Sequence, residues 1–192
     1  MIFIRLGPSG CGKGTQARLL SQKLGIPAIS TGELIRTQAA AGSQSALKAK
    51  EYADRGVWPP DQLIEDILVS ILPSLNFVNG LILDGSPRTV AQAQWLDVIL
   101  DQRGVSIDRV IHLETTLDQS LMRIKARVCE EIKTGHVRSD ETEEAIKERF
   151  ESYVDTIQPI KEYYENQGKL ILVNNEQPIE DVHREICQKL NL

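Results

Sequence analysis

The stretch Gly7-Pro8-Ser9-Gly10-Cys11-Gly12-Lys13-Gly14-Thr15 crowds glycines around one lysine, a pattern suited to cradling phosphate. Glycine lets backbone N–H groups turn inward around an anion without a Cβ clash. The helix pattern that follows offers the positive end of its dipole. Lys13 can reach the β- and γ-phosphates of a nucleoside triphosphate. The predicted strand Ile2–Leu6 precedes the stretch, which is the context a phosphate-binding loop requires. Gly10, Cys11, Gly12, Lys13, Gly14 and Thr15 would therefore wrap the donor phosphates. Gly14 stands where Ser or Thr usually follows the lysine. Either Thr15 supplies the hydroxyl to Mg²⁺ or that contact is lost. The spacing does not make the dinucleotide pattern G-x-G-x-x-G, which would also leave the lysine unexplained.

Leu81-Ile82-Leu83-Asp84 reads as a buried strand ending in an acid. Beside such a loop, an acid at this place orients Mg²⁺ through water; alone, Asp84-Gly85 would be a strand-end turn. Four residues on, Arg88 can grip a phosphate with two parallel hydrogen bonds. In Ser30-Thr31-Gly32-Glu33-Leu34-Ile35-Arg36, Thr31 can cap a helix and place Arg36 just over one turn along it. Two arginines just past strand C-terminal ends suit a second phosphate site, since open α/β sheets bind ligands there. Arg123 and Arg127, four apart, share a helix face. Arg138 and Arg149 flank the start of the next long helix. Folded over the loop, these four would neutralise charge on a moving phosphoryl group. The alternative is a solvated helix surface paired to Glu130, Glu131 and Glu148.

The elements that must position these residues alternate. Strands are predicted at Ile2–Leu6, Ala28–Ser30, Gly80–Leu83, Val110–Leu113 and Lys169–Val173, apolar on both faces as in a covered parallel sheet. Helical spacing joins Leu63, Ile64, Ile67 and Leu68; Leu117, Leu121, Ile124 and Val128; Ile146, Phe150, Tyr153 and Ile157; and Ile179, Val182, Ile186 and Leu190. Asp140 followed by Glu143 predicts a helix start. The implied class is α/β, a doubly wound parallel sheet of five strands flanked by helices. Two stretches read as insertions: one over about 31–60 and a polar one from Cys129 to Ser139.

The chain of 192 residues suits one domain. Its net charge of −5 argues against general affinity for nucleic acid or an anionic membrane. Cys11, Cys129 and Cys187 are odd in number and far apart, which argues against a disulfide framework or a thiolate zinc site. No run approaches a membrane span, and the cytoplasm is the expected compartment.

With these segments in order, the chain resembles the adenylate kinase family along nearly its whole length. The resemblance is carried by Gly7–Gln16, Ile29–Arg36, Lys50–Gly56, Leu83-Asp84-Gly85-x-Pro87-Arg88-Thr89 with Gln92, Arg123-x-x-x-Arg127, and Arg138-x-Asp140 with Arg149. It implies a P-loop nucleoside monophosphate kinase fold with an acceptor-binding lobe at 30–59 and a short lid at 128–138. It implies reversible, Mg²⁺-dependent transfer of the terminal phosphoryl group from ATP to AMP, giving two ADP. Lys13, Arg88, Arg123, Arg138 and Arg149 would be catalytic. Arg123, Arg127 and the backbone near Gln177 would hold ATP. Thr31, Arg36, Gly85, Ser86, Pro87, Arg88 and Gln92 would hold AMP, with Val57, Trp58 and Pro59 along the adenine and Arg138 and Arg149 bridging the nucleotides. Asp84 would hold Mg²⁺ through water, with Thr15 a second candidate. No structural zinc is expected, and the chain would act as a monomer. Ser9, Pro59 and Ser86 depart from the family pattern. UMP/CMP kinases are similar but carry Ala at the position of Thr31. A guanine-nucleotide switch would need an Asn-Lys-x-Asp reader that Val173-Asn174-Asn175-Glu176 does not supply.

Overall fold

The short apolar runs form strands β1 (Ile2–Leu6), β2 (Ala28–Ser30), β3 (Leu81–Asp84), β4 (Arg109–Glu114) and β5 (Leu170–Asn174). The computed structural model describes residues 1–75, 77, 79–134 and 143–192. All neighbouring strands pair in parallel, in the order β2-β3-β1-β4-β5. β3 and β5 each start one residue later than predicted, so Asp84 closes β3 as a strand residue. β1 and β3 are buried throughout and β4 except at its ends. The edge strands β2 and β5 are partly open, so the expectation of cover on both faces fails there: each has a neighbour on one side only.

Alternation along β1 separates two cores. Ile2, Ile4 and Leu6 face α4 (Asp61–Ile71), α5 (Val90–Asp101) and α7 (Glu143–Glu165), among Ile64, Leu96 and Ile160. Phe3 faces the other way, into a cluster with Ala17 and Leu20 of α1 (Lys13–Leu24) and Val182 and Ile186 of α8 (Ile179–Leu190). Helices α2 (Thr31–Ala40) and α3 (Gln44–Asp54) stand between β2 and α4, within the stretch read as an insertion. Helix α6 (Leu117–Thr134) continues through the first part of the 128–138 segment. The rest of that segment, with Arg138 and the predicted helix start Asp140, lies outside the described residues.

A parallel sheet gathers the C-terminal ends of all its strands at one edge. The segments after β1, β2, β3 and β5 therefore converge, as ligand loops of open α/β sheets do.

Two polar side chains sit inside the strands where the pattern promised apolar ones. Arg5 is completely buried, and its guanidinium has no hydrogen-bond partner among the described residues. Burial lowers its pKa, opposed first by the field of Asp84 on the adjacent strand. His112 stacks on Tyr153 with ring centroids 6.1 Å apart. The Glu114 carboxylate lies 3.9 Å from its Nδ1 but is half-exposed and shared with Lys161, 3.3 Å away. Burial therefore prevails: it lowers the His112 pKa to about 4, helped by Lys161 and Lys13.

Folded His112 is thus neutral where the unfolded residue, titrating near 6.5, takes up a proton. Stability from this group is complete above pH 6.5 and is lost as pH falls toward about 4, up to roughly 3 kcal/mol. His112→Gln is expected to flatten the fall of Tm across that window. Parallel Tm–pH profiles for the two proteins would contradict the assignment.

Candidate active site

After β1 the chain turns through Gly10 at φ 80° and Gly12 at φ 86°, the second being the left-handed N-cap of α1. A Cβ on Gly10 would lie 2.7 Å from the Ser120 carbonyl and 2.8 Å from the Ile124 side chain, so α6 packs directly on the loop. Cys11 is buried under it. Its N–H donates to the Pro8 carbonyl at 3.3 Å, and its own carbonyl accepts from Arg123 Nη1 at 3.1 Å and from Asn175 Nδ2. Arg123 Nη2 donates to the Asn175 carbonyl at 2.6 Å. The loop is therefore clamped from outside by α6 and by the segment after β5. Lys13 folds back over it, donating to the Gly7 and Pro8 carbonyls at 2.8 Å each. Two of its three N–H donors are used there, and the third is the one a phosphate oxygen can take without displacing either carbonyl.

Two cavities open at this edge of the sheet. The larger, about 550 Å³, is lined by Gly10, Gly12, Lys13, Gly14 and Thr15 of the loop, by Asp84 and Gly85, by Arg123 and Arg127, and by Asn175 and Gln177. The other, about 430 Å³, is walled by Thr31 of α2, by Val57, Trp58 and Pro59, and by Gln92 of α5. Gly32, Arg36, Arg88 and Arg149 line both. Three guanidinium groups thus stand where the two chambers meet. Cys11, Ser86 and Pro87 line neither chamber; all three are buried behind the walls.

The second cavity is built by caps and by one carboxylate. Ser30, not Thr31, caps α2, accepting from the Glu33 N–H at 3.4 Å, because β2 holds Ser30 in extended geometry. The Thr31 hydroxyl is left to donate to Ser86 Oγ at 2.9 Å. Thr89 caps α5, accepting from the Gln92 N–H at 3.0 Å. Asp61, the first residue of α4, accepts from the Thr89 hydroxyl at 2.7 Å and from Gln92 Nε2 at 2.8 Å. Gln92 Oε1 accepts from the Arg88 N–H at 2.8 Å. Arg88 Nε donates to the Gly85 carbonyl at 2.8 Å. Burial lowers the Arg88 pKa to about 10, against the pull of Tyr153 and Asp84 and with the push of Arg149. It remains a cation at neutral pH.

Asp61 and Asn175 were assigned no part by sequence reasoning. The available signal was their place: Asn175 directly follows β5, and Asp61 follows the Pro59-Pro60 pair that opens α4.

Asp84 is 6% exposed, and its Oδ1 is buried without a hydrogen-bond partner among the described residues. A carboxylate oxygen without a hydrogen-bond donor, in the chamber that the phosphate loop lines, fits a hard divalent cation or its water ligands. Thr15 lines the same chamber. Among the described residues no three His, Cys, Asp or Glu side chains converge as a metal site, and no helix is long and apolar enough to cross a membrane.

Comparison with known sequences agrees with this geometry. The family described as adenylate kinase matches residues 5–169. Adenylate kinases of Brucella abortus strain S19 and Brucella melitensis biotype 2 are each 41% identical over 187 residues, covering 97% of this chain and 96% of theirs. That of Brucella ovis shows the same identity and coverage.

Proposed function

The chain belongs to the adenylate kinase family, and from that premise we propose that its larger chamber takes MgATP and its smaller one AMP, the phosphates meeting at Arg36, Arg88 and Arg149. The observation that carries the reading is the sharing of those three arginines by both cavities.

The phosphate loop and Lys13 hold the β- and γ-phosphates. Arg123 fixes the loop from α6, and Arg127 stands beside it on the donor side. Asp84 would hold Mg²⁺, with Thr15 of the same chamber a second candidate, and the ion would draw charge from the transferring phosphoryl group. An AMP phosphate oxygen attacks the γ-phosphorus in line as the bond to the β–γ bridging oxygen breaks. ADP forms on both sides. A phosphate monoester is largely dianionic at pH 7, so no general base is needed. Catalysis is positioning plus neutralisation of repulsion between two polyanions. Arg138, which lies outside the described residues, would add to that bridge as the family resemblance implies. One chain carries both chambers, which supports a monomer as the working unit.

A coupled assay with ATP and each of AMP, CMP, UMP and GMP tests the reading. ADP formation selective for AMP is expected. Activity confined to CMP or UMP would move the chain to another acceptor class, and ATP loss without any acceptor would make it a hydrolase.

A further inference from the structure

The segment between α3 and α4, together with the first residue of α4, reaches the stretch from Arg88 to Gln92 at two points. Asp61 holds Thr89 and Gln92, as described above. Trp58 holds Arg88: the guanidinium carbon lies 3.5 Å from the centroid of the indole ring. Nothing in the spacing of residues 58 and 88 suggests this contact.

The backbone favours it. Gly56, at φ 73°, turns the chain, and the Val57 N–H closes that turn on the Tyr52 carbonyl at 3.0 Å. Trp58 then precedes Pro59-Pro60, and a residue before proline is confined to extended geometry. The indole is thus presented from a stiff support.

Arg88 is constrained in turn. Its main-chain N–H is held by Gln92, its Nε by the Gly85 carbonyl at 2.8 Å, and its flat face by Trp58. What remains is the forked end with its two terminal nitrogens, which is the end that matches a phosphate. Trp58 also lines the acceptor chamber, so its removal would loosen the guanidinium inside the site itself.

We propose that Trp58 is a positioning residue for the acceptor phosphate, its indole face holding the Arg88 fork in the plane in which that phosphate must arrive. The inference rests on Arg88 being the acceptor-phosphate ligand. It differs from a role for Trp58 as a wall for the base, because its effect must pass through the phosphate.

That difference supplies the test. AMP and adenosine share base and sugar, and only AMP has the phosphate. In Trp58→Leu, AMP affinity measured by calorimetry should fall about 10-fold, the range for a partly desolvated cation–aromatic contact. Inhibition by adenosine and affinity for ATP should stay within about twofold, since neither passes through the Arg88–indole contact. Trp58→Phe, which keeps an aromatic face, should recover most of the AMP affinity. Trp58→Met, which keeps bulk without a face, should behave like the leucine variant and carries the test if leucine impairs folding. Equal weakening of AMP and adenosine would overturn the proposal in favour of a base wall. Unchanged AMP affinity in the leucine and methionine variants would overturn it outright. Loss of AMP-dependent turnover in Arg88→Ala upholds the ligand assignment whichever way Trp58 behaves, so the two failures are separable.

Discussion

Lys13→Met is expected to lower kcat about 10²–10³-fold while leaving the fold intact, since one preorganised donor at a developing charge contributes on that scale. Methionine keeps the stem of lysine and removes only the charge. The folded protein should tolerate the change. The ammonium itself lines the donor chamber, but the carbonyls of Gly7 and Pro8 that accept from it belong to buried residues, so some fall in Tm is expected without loss of the fold. The loop keeps its independent supports: the left-handed Gly12 cap and the bonds from Arg123 and Asn175 to Cys11. Steady-state kinetics and a thermal melt check this together. Turnover within tenfold of the unchanged enzyme, with the fold retained, would remove Lys13 from the transferring phosphate.

Arg88→Ala should produce a loss of similar or greater size, distributed differently. The group stands at the junction of both chambers. Arginines that neutralise a transferring phosphoryl group are worth about 10³–10⁵ in rate. Because Arg88 would grip the acceptor phosphate before and during transfer, kcat/KM for AMP should fall more than kcat, with KM for ATP nearly constant. A rise in KM for ATP with unchanged handling of AMP would reverse the assignment of the two chambers.

Much of this site could be read in the chain. The glycine-lysine loop, Asp84 at a strand end and the arginines at 36 and 88 were visible because each combines a residue type with a place at the sheet's C-terminal edge, whereas Arg149 was singled out by its place near the start of a long helix pattern. The five strands were legible to within about a residue, since buried parallel strands are short, nearly continuous apolar runs. What escaped depends on contacts between distant segments. Asp61 holds residues 28 and 31 positions away, and Asn175 holds a loop 164 positions away. No periodicity reports such pairs. Arg5 was passed over because an isolated polar residue does not disturb an apolar run, although it is buried. Thr31 was taken for a helix cap; Ser30 serves equally well by type, and the end of β2 decides between them. The polar stretch from Cys129 was read as the start of an insertion, whereas α6 continues its helix past Cys129 to Thr134.

The central claim is that two phosphate chains are held end to end between these chambers, joined at Arg36, Arg88 and Arg149. The most direct measurement is calorimetric titration with two adenosines linked through five phosphates, repeated in the presence of ATP and then of AMP. The account predicts one bound molecule per chain, displaced by either nucleotide, with affinity far above that for each alone. Two molecules bound per chain, or competition with ATP but not AMP, would contradict it.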